Sequence, residues 1–170
     1  MQNLKLPIMI NPTRSAQRRL VCEGVFKLSD MTRLLSVCES RSEQVNVSAN
    51  FNVDERGLTV MSGTGSALVA LTCQRCTEQY ELKLEIDFNF SPVKNEEDAD
   101  NIPSYYDEIA LDENGEVNLQ ELVEEELILM IPLIARHELK DCSGDADSVW
   151  GELPEELEKP NPFDVLIQLK

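Results

Sequence analysis

Two cysteines separated by two residues, Cys73 and Cys76, are the side chains in this sequence best suited to chemistry. Zinc takes four Cys or His ligands in a tetrahedron, and His137 and Cys142 are the candidates for the other two. Because the His137–Cys142 half of this set is loosely defined, the sequence favours reduced structural thiols, with a Cys3His zinc site as the alternative. A thiol-redox role fits less well, since thioredoxin-like motifs open a helix within a βαβ unit.

The residues around the two thiols indicate strands. From Tyr80 to Phe90, apolar and polar side chains alternate, which is typical of a strand with one buried and one solvated face. Before the cysteines, Val69 and Leu71 share a face with Cys73. The simplest arrangement is a β-hairpin with both thiols at its tip.

Further strands are predicted on the N-terminal side of this hairpin. Apolar residues alternate from Val45 to Val53, and a turn follows that ends at Gly57. Residues 44–91 therefore predict a meander of at least three antiparallel strands. Gly63 and Gly65 interrupt one of them. We expect a bulge or bend at this point rather than a phosphate-binding loop, because the sequence has no GxxxxGK[ST] pattern.

Two segments have the apolar spacing of amphipathic helices. The first predicts a helix from Met31 to Cys38, with Ser29 as its N-cap. The second predicts a helix over residues 118–131, capped by Asn118 and stopped by Pro132. The predicted fold is α+β, with a mostly antiparallel sheet, either a meander or a partial barrel, covered by these two helices.

We expect one domain over residues 1–170. An acidic loop or arm at about 138–160 contains glycines and prolines, which favour irregular structure. The apolar residues near the C-terminus predict a segment that docks on the domain.

The net charge of −17 is concentrated in one half of the chain. Residues 91–170 hold five lysines and arginines against twenty-two aspartates and glutamates, which gives −17, whereas residues 1–50 are slightly basic. Such a surface repels phosphates and attracts basic partners. Broad, non-specific nucleic-acid binding is therefore disfavoured.

Three glutamates of the second predicted helix are the candidates for binding a basic partner. Glu121, Glu124 and Glu125 lie away from its apolar stripe. A metal or acid–base role is disfavoured because no His or Asp shares their spacing, and the pattern favours a solvated helix face.

Three arginines near the N-terminus are candidate RNA contacts. Arg14, Arg18 and Arg19 lie within six residues, but three cations are few for phosphate binding, so the sequence favours an exposed turn, with a small anion or RNA contact as the alternative.

Other classes of function receive little support from the sequence. We expect a cytoplasmic protein that is not an enzyme, because no secretory signal, membrane span or catalytic motif is recognisable and the only histidine is His137. We also expect no small-molecule substrate. The odd number of cysteines argues against a disulfide framework.

Four stretches of the chain resemble the YceD family, which is named for large ribosomal RNA subunit accumulation. They are LPIMINPTRSAQRRLVCEGVF, LTCQRCTEQYELKLEIDFNFSPV, EVNLQELVEEELILMIPLIARH and WGELPEELEKPNPFDVLIQLK. The resemblance implies a non-enzymatic role in synthesis, processing or stability of the large-subunit (23S) rRNA. It supplies no catalytic residue.

Charge and resemblance together lead to a first hypothesis, an acidic adaptor that binds a basic ribosomal protein or assembly factor and contacts rRNA indirectly. Direct RNA binding through the N-terminal arginines is a second. A third is an acidic regulator that imitates nucleic acid and blocks a nuclease.

Overall fold

The computed structural model describes residues 6–93 and 102–142, and a large β-sheet is the framework of this part of the chain. The strands of the described residues are β1 (Met9–Ile10), β2 (Val21–Lys27), β3 (Glu39–Ser40), β4 (Gln44–Val53), β5 (Thr59–Thr72), β6 (Gln79–Val93), β7 (Asp107–Ala110) and β8 (Val117–Asn118). Its α-helices are α1 (Pro12–Gln17), α2 (Thr32–Leu35) and α3 (Leu119–Leu129), and 3-10 turns occupy Leu28–Asp30 and Leu139–Asp141.

The main sheet has the order β2-β4-β5-β6-β7, with β3 also paired to β5. Every neighbouring pair is antiparallel except β6 and β7, which are parallel. Among the strands of residues 6–93 and 102–142, this sheet stays open, while β1 and β8 pair separately as a short antiparallel ribbon. The predicted α+β class with a mostly antiparallel sheet is confirmed.

The β5–β6 hairpin is the longest pairing of the sheet, in register from Met61 opposite Phe90 to Thr72 opposite Gln79. Burial alternates along β6 as the sequence predicts, because apolar side chains such as Leu84 face the core and the intervening charged ones face solvent. The predicted hairpin is confirmed.

The expectation of an interruption at Gly63 is wrong, because β5 continues through it without a break. Close packing against neighbouring strands explains the glycine at position 63 instead. A Cβ at Gly63 would lie 2.2 Å from the backbone oxygen of Ser48 and 2.4 Å from Cζ of Phe88. Glycine therefore lets the Phe88 ring lie directly over the backbone of β5.

The first predicted helix is shorter than its apolar spacing suggests. Only α2 is α-helical in this segment, and Ser29 lies in the 3-10 turn before it rather than at the N-cap. The N-cap is Met31, whose side chain makes no capping hydrogen bond. Stabilisation of this helix start must therefore come from elsewhere in the chain.

Helix α3 begins and ends close to the predicted positions. Asn118 is its N-cap, and its Oδ1 accepts a hydrogen bond of 3.2 Å from the Glu121 backbone N–H. The helix ends at Leu129, shortly before Pro132. Its buried residues Leu119, Val123 and Leu127 belong to the core formed with the sheet. Leu34 of α2 belongs to the same core. No helix of the described ranges has the length and apolar character of a membrane span.

Most of the predicted acidic arm and the predicted C-terminal docking segment lie outside the described residues. Of the arm, the structure describes only residues 138–142.

Candidate metal centre and acidic cleft

The tip of the β5–β6 hairpin carries Cys73 and Cys76. The turn is tight, because the Cys73 backbone N–H donates to the Glu78 oxygen at 2.8 Å and its own oxygen accepts from the Thr77 N–H at 2.9 Å. Thr77 has a φ of 63°, in the left-handed region that β-branched residues rarely adopt. This turn keeps the two cysteines beside each other at the end of the hairpin.

The segment that follows α3 meets the same tip. The Gln74 backbone N–H donates to the Ala135 oxygen at 2.8 Å, and the Gln74 side-chain amide donates to the Leu133 oxygen at 3.5 Å. These bonds hold the returning chain against the turn. As a result, His137 and Cys142, which come next in the sequence, lie next to the hairpin thiols.

Four potential metal ligands therefore meet in one cluster. Cys73 Sγ lies 3.9 Å from Cys142 Sγ, and Cys76 Sγ lies 3.3 Å from Nδ1 of His137. One donor atom from each of the four residues lies within 4.8 Å of all the others. Cys73 is buried and the other three are half-buried, and all three thiols are free of disulfides. The structure thus brings together all four of the ligands considered from the sequence.

Hydrogen bonds in the cluster favour the thiolate form of Cys73. Burial alone would raise the pKa of the Cys73 thiol, but N–H groups of the Cys76, His137 and Arg75 backbone lower that pKa to about 5. The pKa of His137 is raised, chiefly through its hydrogen bond with the Cys142 thiol. Arg75 also donates from Nε to the Cys142 sulfur at 2.9 Å. A Cys73 thiolate next to two further sulfur groups and an imidazole is suited to bind a cation.

Arg75 was not singled out from the sequence, although it lies inside the Cys-x-x-Cys motif. Its Nη2 is buried and has no hydrogen-bond partner among the described residues. A guanidinium held over sulfur atoms supplies a positive charge next to three potential negative charges. Its position between the two cysteines is the sequence feature that could have identified it.

The remaining cysteines lie apart from this cluster. Cys22 and Cys38 are half-buried and pack against the core, and burial raises the pKa of both thiols. Cys38 donates to the Leu34 oxygen at 3.2 Å. These two thiols are neutral packing residues, as expected for Cys38.

The three glutamates expected on one exposed helix face have different positions. Glu121 is exposed, and Glu125 is exposed and forms an ion pair of 2.6 Å with Arg33. Glu124, in contrast, is 5% exposed, and its Oε1 accepts a hydrogen bond of 3.0 Å from the Leu34 backbone N–H. The expectation of an exposed Glu124 is wrong, because this carboxylate caps the start of α2 in place of an N-cap side chain.

An open cleft of about 470 Å³ lies beside the exposed edge of α3. Its described lining residues are Met9, Glu108, Ile109, Ala110, Asp112, Glu116, Val117, Asn118, Glu121, Leu122 and Glu125. We call this surface the acidic cleft. Five of these side chains are carboxylates over a floor of apolar groups, and none of the described lining residues is a lysine or arginine.

The carboxylates of the acidic cleft differ in their hydrogen bonds and ion pairs. Asp112 accepts hydrogen bonds from the backbone of its own turn, and Glu125 has its ion pair. Within the described ranges, no hydrogen bond or ion pair holds the side chains of Glu108, Glu116 or Glu121. Sequence reasoning missed Glu108, which lies on β7 and pairs in parallel with β6, and Glu116, which lies just before β8 and α3.

The three arginines considered for RNA contact lie at one end of α1. Arg14 is in the helix, Arg18 is its C-cap and Arg19 follows with a φ of 49°. All three are exposed, and no side-chain hydrogen bond or ion pair holds them among the described residues.

Comparisons with known proteins decide the family. The family model described as "Large ribosomal RNA subunit accumulation protein YceD" matches residues 61–170. A Haemophilus influenzae (strain ATCC 51907 / DSM 11121 / KW20 / Rd) protein of the same name is 42% identical over 172 aligned positions, which cover 100% of this chain and 99% of the relative. The chain belongs to the YceD family. The part matched by the YceD model includes the Cys/His cluster and α3 but not the N-terminal arginines. No solved structure matches the chain.

Proposed function

We propose that this protein supports the accumulation of large-subunit rRNA as a non-enzymatic adaptor that binds a basic ribosomal protein or assembly factor through the acidic cleft. The name of its relative connects that protein to large ribosomal RNA subunit accumulation. Ribosome assembly handles many strongly basic proteins, so a negative binding surface suits this role.

The acidic cleft is the observation that carries the proposal. Its volume is in the range of ordinary ligand sites. The exposed carboxylates Glu108 and Glu121 line the cleft from two different elements, β7 and α3, together with apolar residues such as Leu122. A lysine or arginine side chain can lay its aliphatic stem on such a floor and direct its charge to the rim. The occupant we propose is therefore a Lys/Arg-rich segment of the partner.

The structure also restricts which glutamates can contribute. Glu124 is buried and bonded within the chain, so it is removed from the partner-binding set. Glu121 keeps its place in that set, and Glu125 shares its charge with Arg33. Glu108 and Glu116 join them, which moves the centre of the proposed surface from the helix face to the cleft.

The test is binding of salt-stripped large-subunit ribosomal proteins to the immobilised full-length chain. The cleft variant combines Glu108→Gln, Glu116→Gln and Glu121→Gln. The matched control combines Glu23→Gln, Glu55→Gln and Glu81→Gln, which remove the same charge from exposed positions elsewhere. Exposed ion pairs contribute about 0.2–1 kcal/mol each, so the cleft variant should bind roughly three- to 150-fold more weakly.

The salt dependence separates this mechanism from apolar adhesion. Raising the salt from 0.1 M to 1 M shortens the Debye length from about 10 Å to about 3 Å, and we expect it to release the bound protein. Equal loss of binding in both triple variants would show that total charge, not the cleft, is responsible. No captured basic protein at any salt concentration would reject the adaptor.

Direct RNA binding is a second candidate, favoured by the exposure of Arg14, Arg18 and Arg19. Three phosphate contacts to single-stranded RNA predict a salt slope of about −2, since each contributes about −0.7. A gel shift with rRNA fragments and Arg14→Ala/Arg18→Ala measures it. An unchanged affinity and slope in that variant would exclude these arginines.

A further inference from the structure

The Cys/His cluster has the dimensions of an occupied tetrahedral metal site. Zinc–sulfur bonds of about 2.3 Å and zinc–nitrogen bonds of about 2.0–2.1 Å place two sulfur ligands about 3.8 Å apart, and a sulfur and a nitrogen ligand about 3.6 Å apart. The Cys73–Cys142 sulfur distance is 3.9 Å and the Cys76–His137 distance is 3.3 Å. Both distances lie within a few tenths of an ångström of these edges.

We propose that Cys73, Cys76, His137 and Cys142 bind one zinc ion in a structural Cys3His site. The four residues supply a full tetrahedron, so no coordination position is left for substrate, as in other structural sites. The site goes beyond the adaptor function, because it lies at the hairpin tip and shares no residue with the acidic cleft.

The surroundings of the cluster fit a zinc-thiolate centre. Three thiolates, a neutral histidine and Zn²⁺ have a net charge of −1, and the Arg75 guanidinium, which donates to Cys142 at 2.9 Å, offsets it. The Tyr80 ring packs against the His137 imidazole with 5.0 Å between ring centres, which restrains the orientation of that ligand.

The presence of a histidine and a third thiol argues against a disulfide as the purpose of the cluster. A disulfide needs sulfurs about 2.05 Å apart, whereas Cys73 and Cys142 are separated by 3.9 Å. A disulfide would also use two thiols and leave the histidine and the third thiol without a role. One ion uses all four groups.

A metal at this position would join two distant parts of the chain. Cys73 and Cys76 belong to the hairpin, while His137 and Cys142 belong to the segment after α3. Within the described residues, the Gln74 bonds and the hydrogen bond from Arg75 to Cys142 already link these parts. Zinc would therefore fix the chain that leaves α3 onto the end of the sheet, and binding would be coupled to local folding.

The experiment uses the full-length chain, purified without a histidine tag under reducing conditions. Metal content is measured by mass spectrometry, and Co²⁺ replaces zinc to report the coordination in its visible absorption spectrum. We expect one metal ion per chain and the intense absorption of tetrahedral cobalt with thiolate ligands. Cys142→Ser should weaken zinc binding at least tenfold, whereas Cys22→Ser and Cys38→Ser should bind one ion as tightly as the wild type.

His137→Cys is the variant that keeps the proposal testable even if ligand removal unfolds the chain. It replaces the nitrogen ligand by a fourth sulfur, so it should retain one ion and increase the sulfur-to-cobalt charge-transfer absorption. Reduced wild-type protein that takes up neither zinc nor cobalt would overturn the proposal. Equal metal binding by Cys142→Ser and the wild type, or recovery of the cluster only as a disulfide, would overturn it as well.

Discussion

Glu124→Ala should destabilise the protein although this residue belongs to an acidic helix. The Glu124 carboxylate is 5% exposed and accepts a 3.0 Å hydrogen bond from the Leu34 N–H, which has no partner in the first turn of α2. Leaving this buried N–H unsatisfied costs about 1–3 kcal/mol, and losing a buried methylene costs about 0.8 kcal/mol. We therefore expect a loss of about 2–4 kcal/mol, or roughly 4–16 °C in the unfolding midpoint of a chain of this size.

Two further variants make the comparison specific. Glu124→Gln keeps an acceptor oxygen and loses only the charge assistance, so it should cost about 1 kcal/mol. Glu121→Ala removes an exposed carboxylate from the first turn of α3 and should cost no more than about 1 kcal/mol.

The assay is urea unfolding followed by far-UV circular dichroism, together with hydrogen exchange of the Leu34 amide. That amide should exchange faster in Glu124→Ala than in Glu121→Ala. If the two alanine variants have the same stability and the same Leu34 exchange rate, the capping explanation of Glu124 is refuted.

Other predictions concern the sheet and the half-buried Glu126 of α3. Gly63→Ala should destabilise by about 1–3 kcal/mol in urea unfolding, because a Cβ there would lie 2.2 Å from the Ser48 backbone oxygen. Gly65→Ala should cost less, because a Cβ there would lie 2.9 Å from the Ile86 side chain but 3.6 Å from the nearest backbone atom, the Asn46 oxygen. Equal costs for the two variants would contradict this explanation. Burial, with the nearby charges of Asp107 and Glu125, raises the pKa of Glu126 above its ordinary 4.5. The folded state then holds the Glu126 proton more tightly than the unfolded chain. The contribution of Glu126 to stability therefore becomes unfavourable as the pH rises from its unfolded-state pKa through its folded-state pKa. Glu126→Gln should thus raise stability near neutral pH and lose this advantage in acid; an equal gain at both pH values would contradict the assignment.

Features with a local cause could be predicted from the sequence. The hairpin follows from the alternation between Tyr80 and Phe90, and α3 follows from Asn118 at its start and Pro132 beyond its end. In both cases the physical signal lies within the element itself, so no knowledge of distant contacts is needed.

Features that depend on distant contacts could not be predicted. The start of α2 is capped by Glu124, which lies 90 residues away from Leu34, so the local search for an N-cap led to Ser29. At Gly63, the Phe88 ring of the neighbouring strand explains the glycine, and this contact is fixed only by register.

Both candidate sites combine features that the sequence could predict with features that depend on distant contacts. The Cys-x-x-Cys pair was visible from its spacing, and His137 and Cys142 could be named as ligands only because few such residues exist in the chain. Their approach to the hairpin depends on the Gln74 bond to Ala135. The acidic cleft was expected as a helix face because the pairing of β6 with β7, which brings Glu108 beside α3, is not encoded locally.

The most direct measurement of the central claim is the ratio of large- to small-subunit rRNA in cells that lack the chromosomal gene and carry a plasmid copy. Wild type and the Glu23/Glu55/Glu81→Gln control should restore the ratio, and the Glu108/Glu116/Glu121→Gln cleft variant, expressed at the same level, should leave it low. Full restoration by the cleft variant would contradict the account.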